Sequence, residues 1–318
     1  MSVALATHHE ALLECPRLIE ISDSLNPFRG DKVRIHAQIC GDNVKRFAAL
    51  NLLLEAEADG RLQGVHTLVE NSSGNMALAL GLLAPSFGIR NLVAILRADI
   101  PSGKLDPLRL SRIKCRFCTE TADEPGGIHL AREMGRLPGH INLAQYENDA
   151  NPRAYEKWLA PRIWKQTDGK VTIACAGLGT TGTAMGLSRY LKRVSANCTI
   201  VGVMCSPGAA VPGIRSEERL AEIRFPWRET LDAIEQVGTR ESFKKSRELW
   251  WGLETMVGPS SGLALAGLLK FIALRKEAGS LDQYRNMDGE VCAVFVCPDM
   301  AYPYFDKYST HLDPQDLV

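Results

Sequence analysis

The chain carries no excess charge of either sign. Over 318 residues, 37 lysines and arginines stand against 37 aspartates and glutamates, so the formal net charge is zero. Composition therefore offers no electrostatic hold on a nucleic acid or an anionic membrane, and a small-molecule substrate is expected. Long apolar runs are missing as well. The longest, near 263–274, is broken by Lys270 and is too short to span a bilayer. No basic stretch leads into an apolar core at the N-terminus, so no secretory signal is expected. The nine cysteines are odd in number and scattered. Cys115 and Cys118 form the only close pair, with no second pair at zinc spacing. The stretch 113–119 reads as a strand, on which residues three apart face opposite sides, so no metal site is expected. Ordinary thiols in a reducing cytoplasm are the expectation.

What remains is an ordinary globular composition, 45% apolar and 23% charged, in a chain long enough for two domains. From about residue 64, strand and helix patterns alternate. Strands are expected over 65–70, 92–96, 115–121 and 140–144, with helices over 76–84, 107–114 and 127–136 between them. A second set runs from a helix over 152–167 to a strand over 291–297. This alternation predicts an α/β fold of open, mostly parallel twisted sheets flanked by helices. Ligands in such folds bind beyond the carboxyl ends of the strands. The stretch 148–152 reads as a crossing between domains.

Within the second set stands Gly177-Leu-Gly-Thr-Thr-Gly-Thr183, between an apolar strand at 171–176 and a helix at 184–194. A glycine turn opening a helix points N–H groups at one spot beside a positive dipole end, which suits a phosphate. Gly177, Gly179 and Gly182 spell the dinucleotide fingerprint. However, the following strand, 199–204, ends in Cys205-Ser-Pro-Gly208, with no acid for a ribose and no arginine for a 2′-phosphate. No Gly-Lys-Ser/Thr follows, which excludes a Walker loop. The hydroxyls of Thr180, Thr181 and Thr183 suit a phosphate monoester. A merely structural turn and a nucleotide site are the alternatives.

Three further pieces fit a phosphorylated cofactor. Ser72, Ser73 and Asn75, around Gly74 at a strand-to-helix junction, form a candidate carboxylate site, against the plainer account of a cap and a turn. Ser260, in Gly258-Pro-Ser-Ser-Gly262, opens the apolar helix, where ordinary capping is the alternative. Lys45 stands in a first helical turn, where the dipole favours the neutral amine that Schiff-base chemistry requires; the alternative is a solvated lysine. A phosphate, a carboxylate site and such a lysine together suggest pyridoxal phosphate acting on an amino acid.

In this order, these motifs resemble the cysteine synthase family of pyridoxal-phosphate enzymes, the tryptophan-synthase-β-like fold type II group that includes cystathionine β-synthase. The resemblance covers nearly the whole chain. Residues 45–57 align with the helix after the family's cofactor lysine. Ser72-Ser-Gly-Asn75 is similar to the Thr-Ser-Gly-Asn loop, which implies that Ser72, Ser73 and Gly74 hold the substrate carboxylate and Asn75 the cofactor's ring hydroxyl. Gln145 falls where the family has a carboxylate-contacting glutamine. Gly179, Thr180, Thr181, Gly182 and Thr183 match the phosphate loop, and Ser260 the serine at the pyridine nitrogen. Ala210-Val-Pro-Gly-Ile-Arg215 is similar to the B-type cysteine synthases.

The resemblance implies a smaller domain over 40–147 and a larger one over 1–39 and 148–318. It implies Lys45 as the catalytic lysine and β-replacement on O-acetyl- or O-phospho-L-serine by a sulfur nucleophile, as in cysteine biosynthesis. A cytoplasmic homodimer is the family's usual form. The departures cluster around the leaving group and nucleophile. Gly41-Asp-Asn-Val44 is shorter than the usual loop before the lysine, Phe47 replaces an arginine, Met76 a substrate-contacting threonine and Thr181 a glycine. Pro298-Asp-Met300 also departs from the usual pattern near the ring. An amine nucleophile giving a diaminopropionate-type amino acid, and a non-catalytic cofactor-binding relative, are the alternatives.

Overall fold

A computed structural model describes residues 17–118 and 126–316. The N-terminal stretch read for a signal and residues 119–121 of the expected strand lie outside the described residues. The strands are β1 (Arg17–Glu20), β2 (Val33–Ile39), β3 (Thr67–Asn71), β4 (Asn91–Arg97), β5 (Lys114–Cys118), β6 (His140–Ile141), β7 (Ile173–Gly177), β8 (Thr199–Cys205), β9 (Ala233–Val237) and β10 (Val291–Cys297). The helices used below are α1 (Lys45–Ala58), α2 (Asn75–Leu83), α3 (Ser102–Leu110), α4 (Gly127–Met134), α5 (Gly182–Val194), α6 (Thr239–Leu253) and α7 (Pro259–Glu277). The described residues divide into two compact units, one taking 43–154 and the other 17–42 with 155–316.

The smaller unit carries a four-stranded sheet of order β5-β4-β3-β6, parallel throughout. In the centre, Thr67 of β3 lies opposite Asn91 on one side and His140 on the other. All five residues of β3 are buried, the polar Glu70 and Asn71 included. Val69, Ile95 and Cys118 pack with Ala131 of α4 as a core on one face. A parallel strand covered on both faces is thus taken out of water whatever its side chains are.

The larger unit carries a six-stranded sheet of order β1-β2-β10-β7-β8-β9, in which only β1 runs antiparallel to its neighbour. Val291 of β10 lies opposite Val33, and Ala293 opposite Ile173. Every residue of β10 is buried, as its unbroken apolar run requires. Through its first half, Pro259 to Leu268, α7 is buried all round, so it reads as apolar on every face rather than as a stripe. Its Leu263, Leu265 and Leu268 join the sheet's apolar residues in the main core.

Two expected helices form differently. The one expected over 107–114 runs instead over Ser102–Leu110, with Pro107 inside it and Lys114 already in β5. Pro107 reads as a helix start, but the first turn closes on the carbonyl of Pro101, which accepts from Lys104 and Leu105. The helix expected over 152–167 is divided into α-helix at Ala150–Ala154, a π-helix at Tyr155–Leu159 and α-helix again at Ala160–Gln166. Pro161 has no N–H to donate back along the helix, and the wider π turn precedes it.

Candidate active site

In the smaller unit Lys45 is the first residue of α1 and is partly buried. Asn43 fixes it from two residues before. The Asn43 Oδ1 accepts the Lys45 backbone N–H at 3.0 Å, while its Nδ2 donates to the carbonyl of Asn75 at 2.7 Å. One side chain thus ties the start of α1 to the start of α2, the helix opened by the candidate carboxylate loop. The sequence reading missed Asn43. Its signal was an Asx residue just ahead of a helix, where such side chains commonly satisfy free N–H groups.

The loop itself leaves β3 at Asn71. Ser72 Oγ accepts the N–H groups of Gly74 at 2.9 Å and Ala77 at 3.2 Å, so this serine does the capping work. Gly74 has φ 111°, a backbone region that side chains rarely enter. A Cβ there would also lie 3.1 Å from the Lys104 methylenes of α3. Ser73 is exposed, whereas Met76 is 1% exposed and packs into the interior. Gln145 is buried, and its Nε2 donates to the Asn71 carbonyl at 2.6 Å. Asn151 in turn donates to the Gln145 carbonyl at 2.7 Å. The structure therefore brings Lys45, Ser72, Gly74, Asn75 and Gln145 into one connected network.

In the larger unit β7 ends at Gly177 and the chain turns into α5. The Leu178 N–H donates to Val203 O at 2.7 Å and its carbonyl accepts from the Arg215 N–H at 2.9 Å. A Cβ on Gly179 would lie 2.3 Å from the Gly213 carbonyl oxygen, so only glycine fits there. The segment 210–215, singled out for its B-type character, is thus the backing of this turn. Thr181 takes φ 67° at the N-cap, and its hydroxyl donates to the Thr180 carbonyl at 2.6 Å. Thr183 meets the buried phenol of Tyr155, whose pKa is pushed up by burial and drawn partly back by that hydroxyl. Gly182 is the first residue of α5, where a helix leaves N–H groups without intrahelical partners.

Ser260 is the second residue of α7, after the N-cap Gly258 and Pro259. Its hydroxyl donates to Asp299 Oδ1 at 3.4 Å, and the Tyr304 hydroxyl donates to Asp299 Oδ2. Asp299 is buried just beyond the end of β10. The strand neighbour of β10 is β7, so both pieces follow the carboxyl ends of adjacent parallel strands.

These donors suit pyridoxal phosphate. The Gly179 turn and the start of α5 have backbone N–H groups that would suit a phosphate monoester, and Ser260 has a hydroxyl that would meet a ring nitrogen by turning from Asp299. Among the described residues no cluster of acidic, histidine or cysteine side chains suits a metal ion, and no helix is long and apolar enough to cross a membrane.

Known proteins bear on this arrangement. Residues 23–285 match the family model described as pyridoxal-phosphate dependent enzyme. Cysteine synthase B of Escherichia coli strain K12 is 30% identical over 258 residues, which cover 80% of this chain and 84% of that one. Among solved structures, a cysteine synthase from Entamoeba histolytica has a TM-score of 0.80 at 20% identity, covering 100% of this chain and 94% of its own. An O-ureido-L-serine synthase has a TM-score of 0.79 at 20% identity, covering 94% and 93%. The family match spans most of the chain, and the chain belongs to the pyridoxal-phosphate dependent enzymes.

Proposed function

We propose that this enzyme carries out β-replacement on an O-substituted L-serine, O-acetyl- or O-phospho-L-serine, with a sulfur nucleophile. The likeness to cysteine synthase B supports the reaction class. The observation that carries the reading is the Asn43 bridge. It makes the amine-bearing residue and the carboxylate loop parts of one hydrogen-bonded piece, so an amino acid held by one is presented to the other.

In this reading the smaller unit handles the amino acid. Ser72 and Ser73, the loop around Gly74 and the Gln145 amide take the α-carboxylate. Met76, where the family has a threonine, contributes an apolar wall. The cofactor phosphate is held at Gly179, Thr180, Thr181, Gly182 and Thr183, the ring nitrogen at Ser260 and the ring hydroxyl at Asn75. Lys45 Nζ would hold the cofactor, and as a free amine it would take the proton from Cα. Pyridoxal phosphate, when bound, supplies the electron sink that makes this proton acidic. Acetate or phosphate leaves Cβ, the nucleophile bonds there, and Lys45 Nζ returns the proton to Cα.

Met76 and the short loop 41–44 alter the side facing the nucleophile, which supports an amine as the second candidate. The eight cysteines among the described residues are free thiols, which supports a cytoplasmic setting. A homodimer is proposed on family likeness. The test is an absorbance titration of the purified holoenzyme. Wild type is expected to be yellow and to change spectrum with O-acetyl- or O-phospho-L-serine. Lys45→Ala is expected to fold, to lack the internal linkage and to lose at least about a thousandfold in turnover, the scale on which removing a covalent catalyst is felt. A wild type that binds cofactor but responds to no serine ester overturns the reading. Product analysis with sulfide against amines identifies the nucleophile.

A further inference from the structure

Glu70 takes no part in the steps above, yet it lies beneath two of the residues that do. It is the fourth residue of β3 and 1% exposed. The next residue, Asn71, supplies the carbonyl that accepts the Gln145 amide. The carboxyl lines a small cavity of about 10 Å³, together with Asn71, Ile128, Asn142, Ala144 and Glu147, and this is room for about one water. Its Oε2 has no hydrogen-bond partner.

Its polar neighbours are the side-chain amides of Asn142 and Gln145 and the N–H groups of Ala144 and Gln145. Burial outweighs them and raises its pKa from 4.5 to about 8. The titratable and charged groups around it, among the described residues, are few. Tyr146 and Glu147 come from the loop after β6, and Arg132 from α4, where its guanidinium is engaged by Glu147 at 3.1 Å. Cys118 ends β5 in the same core, and β6 brings His140. None of these is a cation paired with Glu70.

We propose that Glu70 is a positioning residue: as a neutral carboxylic acid it leaves the Gln145 amide free for the substrate α-carboxylate, and on ionising it weakens amino-acid binding. The proposal rests on the reading that Gln145 and the 72–75 loop receive that carboxylate. An amide nitrogen has two hydrogens to give. One goes to Asn71 O; the second can go to Glu70 or to the ligand. A neutral acid competes poorly for it. An ionised one is a strong acceptor and adds a buried negative charge beside a site that must accept another.

The test follows the absorbance of the holoenzyme on titration with L-alanine, which has the α-amine and α-carboxylate but no leaving group, and with L-alaninamide, which lacks the carboxylate. Glu70→Gln mimics the neutral acid and is expected to retain binding at pH 7. Between pH 7 and pH 9, the affinity of wild type for L-alanine relative to that of Glu70→Gln is expected to fall roughly tenfold, about the effect of one ionisation passing through its midpoint, while the same ratio for L-alaninamide stays constant. A ratio that stays constant for L-alanine overturns the proposal, as does one that falls equally for both ligands. If neither L-alanine nor any serine ester alters the wild-type spectrum at any pH, it is the proposed function that fails.

Discussion

The loop 71–75 of the smaller unit and the turn 177–182 of the larger one both follow a buried parallel strand and both open a helix, yet they are held by different means. Side chains hold the first. Ser72 caps α2, Asn43 reaches the Asn75 carbonyl, and Gln145 reaches Asn71. Backbone contact holds the second, where Gly179 lies against the Gly213 carbonyl and Leu178 bonds to Val203 and Arg215. The side-chain network contains a titratable group, Glu70, while the backbone turn contains none. A site for a cofactor that stays bound can be rigid and indifferent to pH. The proposed substrate loop lies beside a group whose protonation can change.

The sharpest way to break this contrast is to add one carbon to the backbone-held turn. Gly179→Ala forces a Cβ against a carbonyl oxygen, and the turn must move. The expected cost is about 3 kcal/mol of stability with a drop of tenfold or more in cofactor retention, read by denaturant midpoint and by absorbance after dialysis. Retention at the wild-type level would mean the turn is not held by close packing.

A smaller effect tests the titratable side. Glu70 has its pKa raised on folding, so the folded chain binds the extra proton between about pH 4.5 and pH 8. Stability is then full below the unfolded value, falls as pH rises through this window, and levels off above about 8. Glu70→Gln removes that slope. Denaturant midpoints at intervals from pH 5 to 9 check it, and a slope that survives the substitution belongs to other groups.

The smallest effect concerns Thr181, a β-branched residue held at φ 67° where the family has glycine. Thr181→Gly relieves left-handed strain of about 1–2 kcal/mol and gives up the bond to the Thr180 carbonyl. The net expectation is a gain of roughly 0.5 kcal/mol with cofactor binding unchanged. A loss of cofactor would show that the threonine side chain, rather than the turn's backbone, grips the phosphate.

Much of this was legible along the chain. Seven of the ten strands were readable, β10 most clearly because a buried parallel strand is a continuous apolar run, while β1, β2 and β9 were not expected. The two strand-to-helix turns were readable because a strand, a glycine and a helix start are neighbours in sequence. Helix boundaries near proline were not, since Pro107 and Pro161 each allow more than one local solution that only packing decides. Asn43, Glu70 and Asp299 went unassigned for a different reason. An asparagine before a lysine, a glutamate in a strand and an aspartate after one say nothing until their partners arrive.

The sequence by itself determined the alternating architecture, the glycine turn and the family, because these depend on periodicity and on contacts a few residues long. Only the tertiary structure decided which groups act together. The Asn43–Asn75 bond spans 32 positions, Ser260–Asp299 spans 39 and Gln145–Asn71 spans 74. It also decided that Glu70 is buried, and with that its charge, because the field around a carboxyl is set by what packs over it and not by its neighbours in the chain.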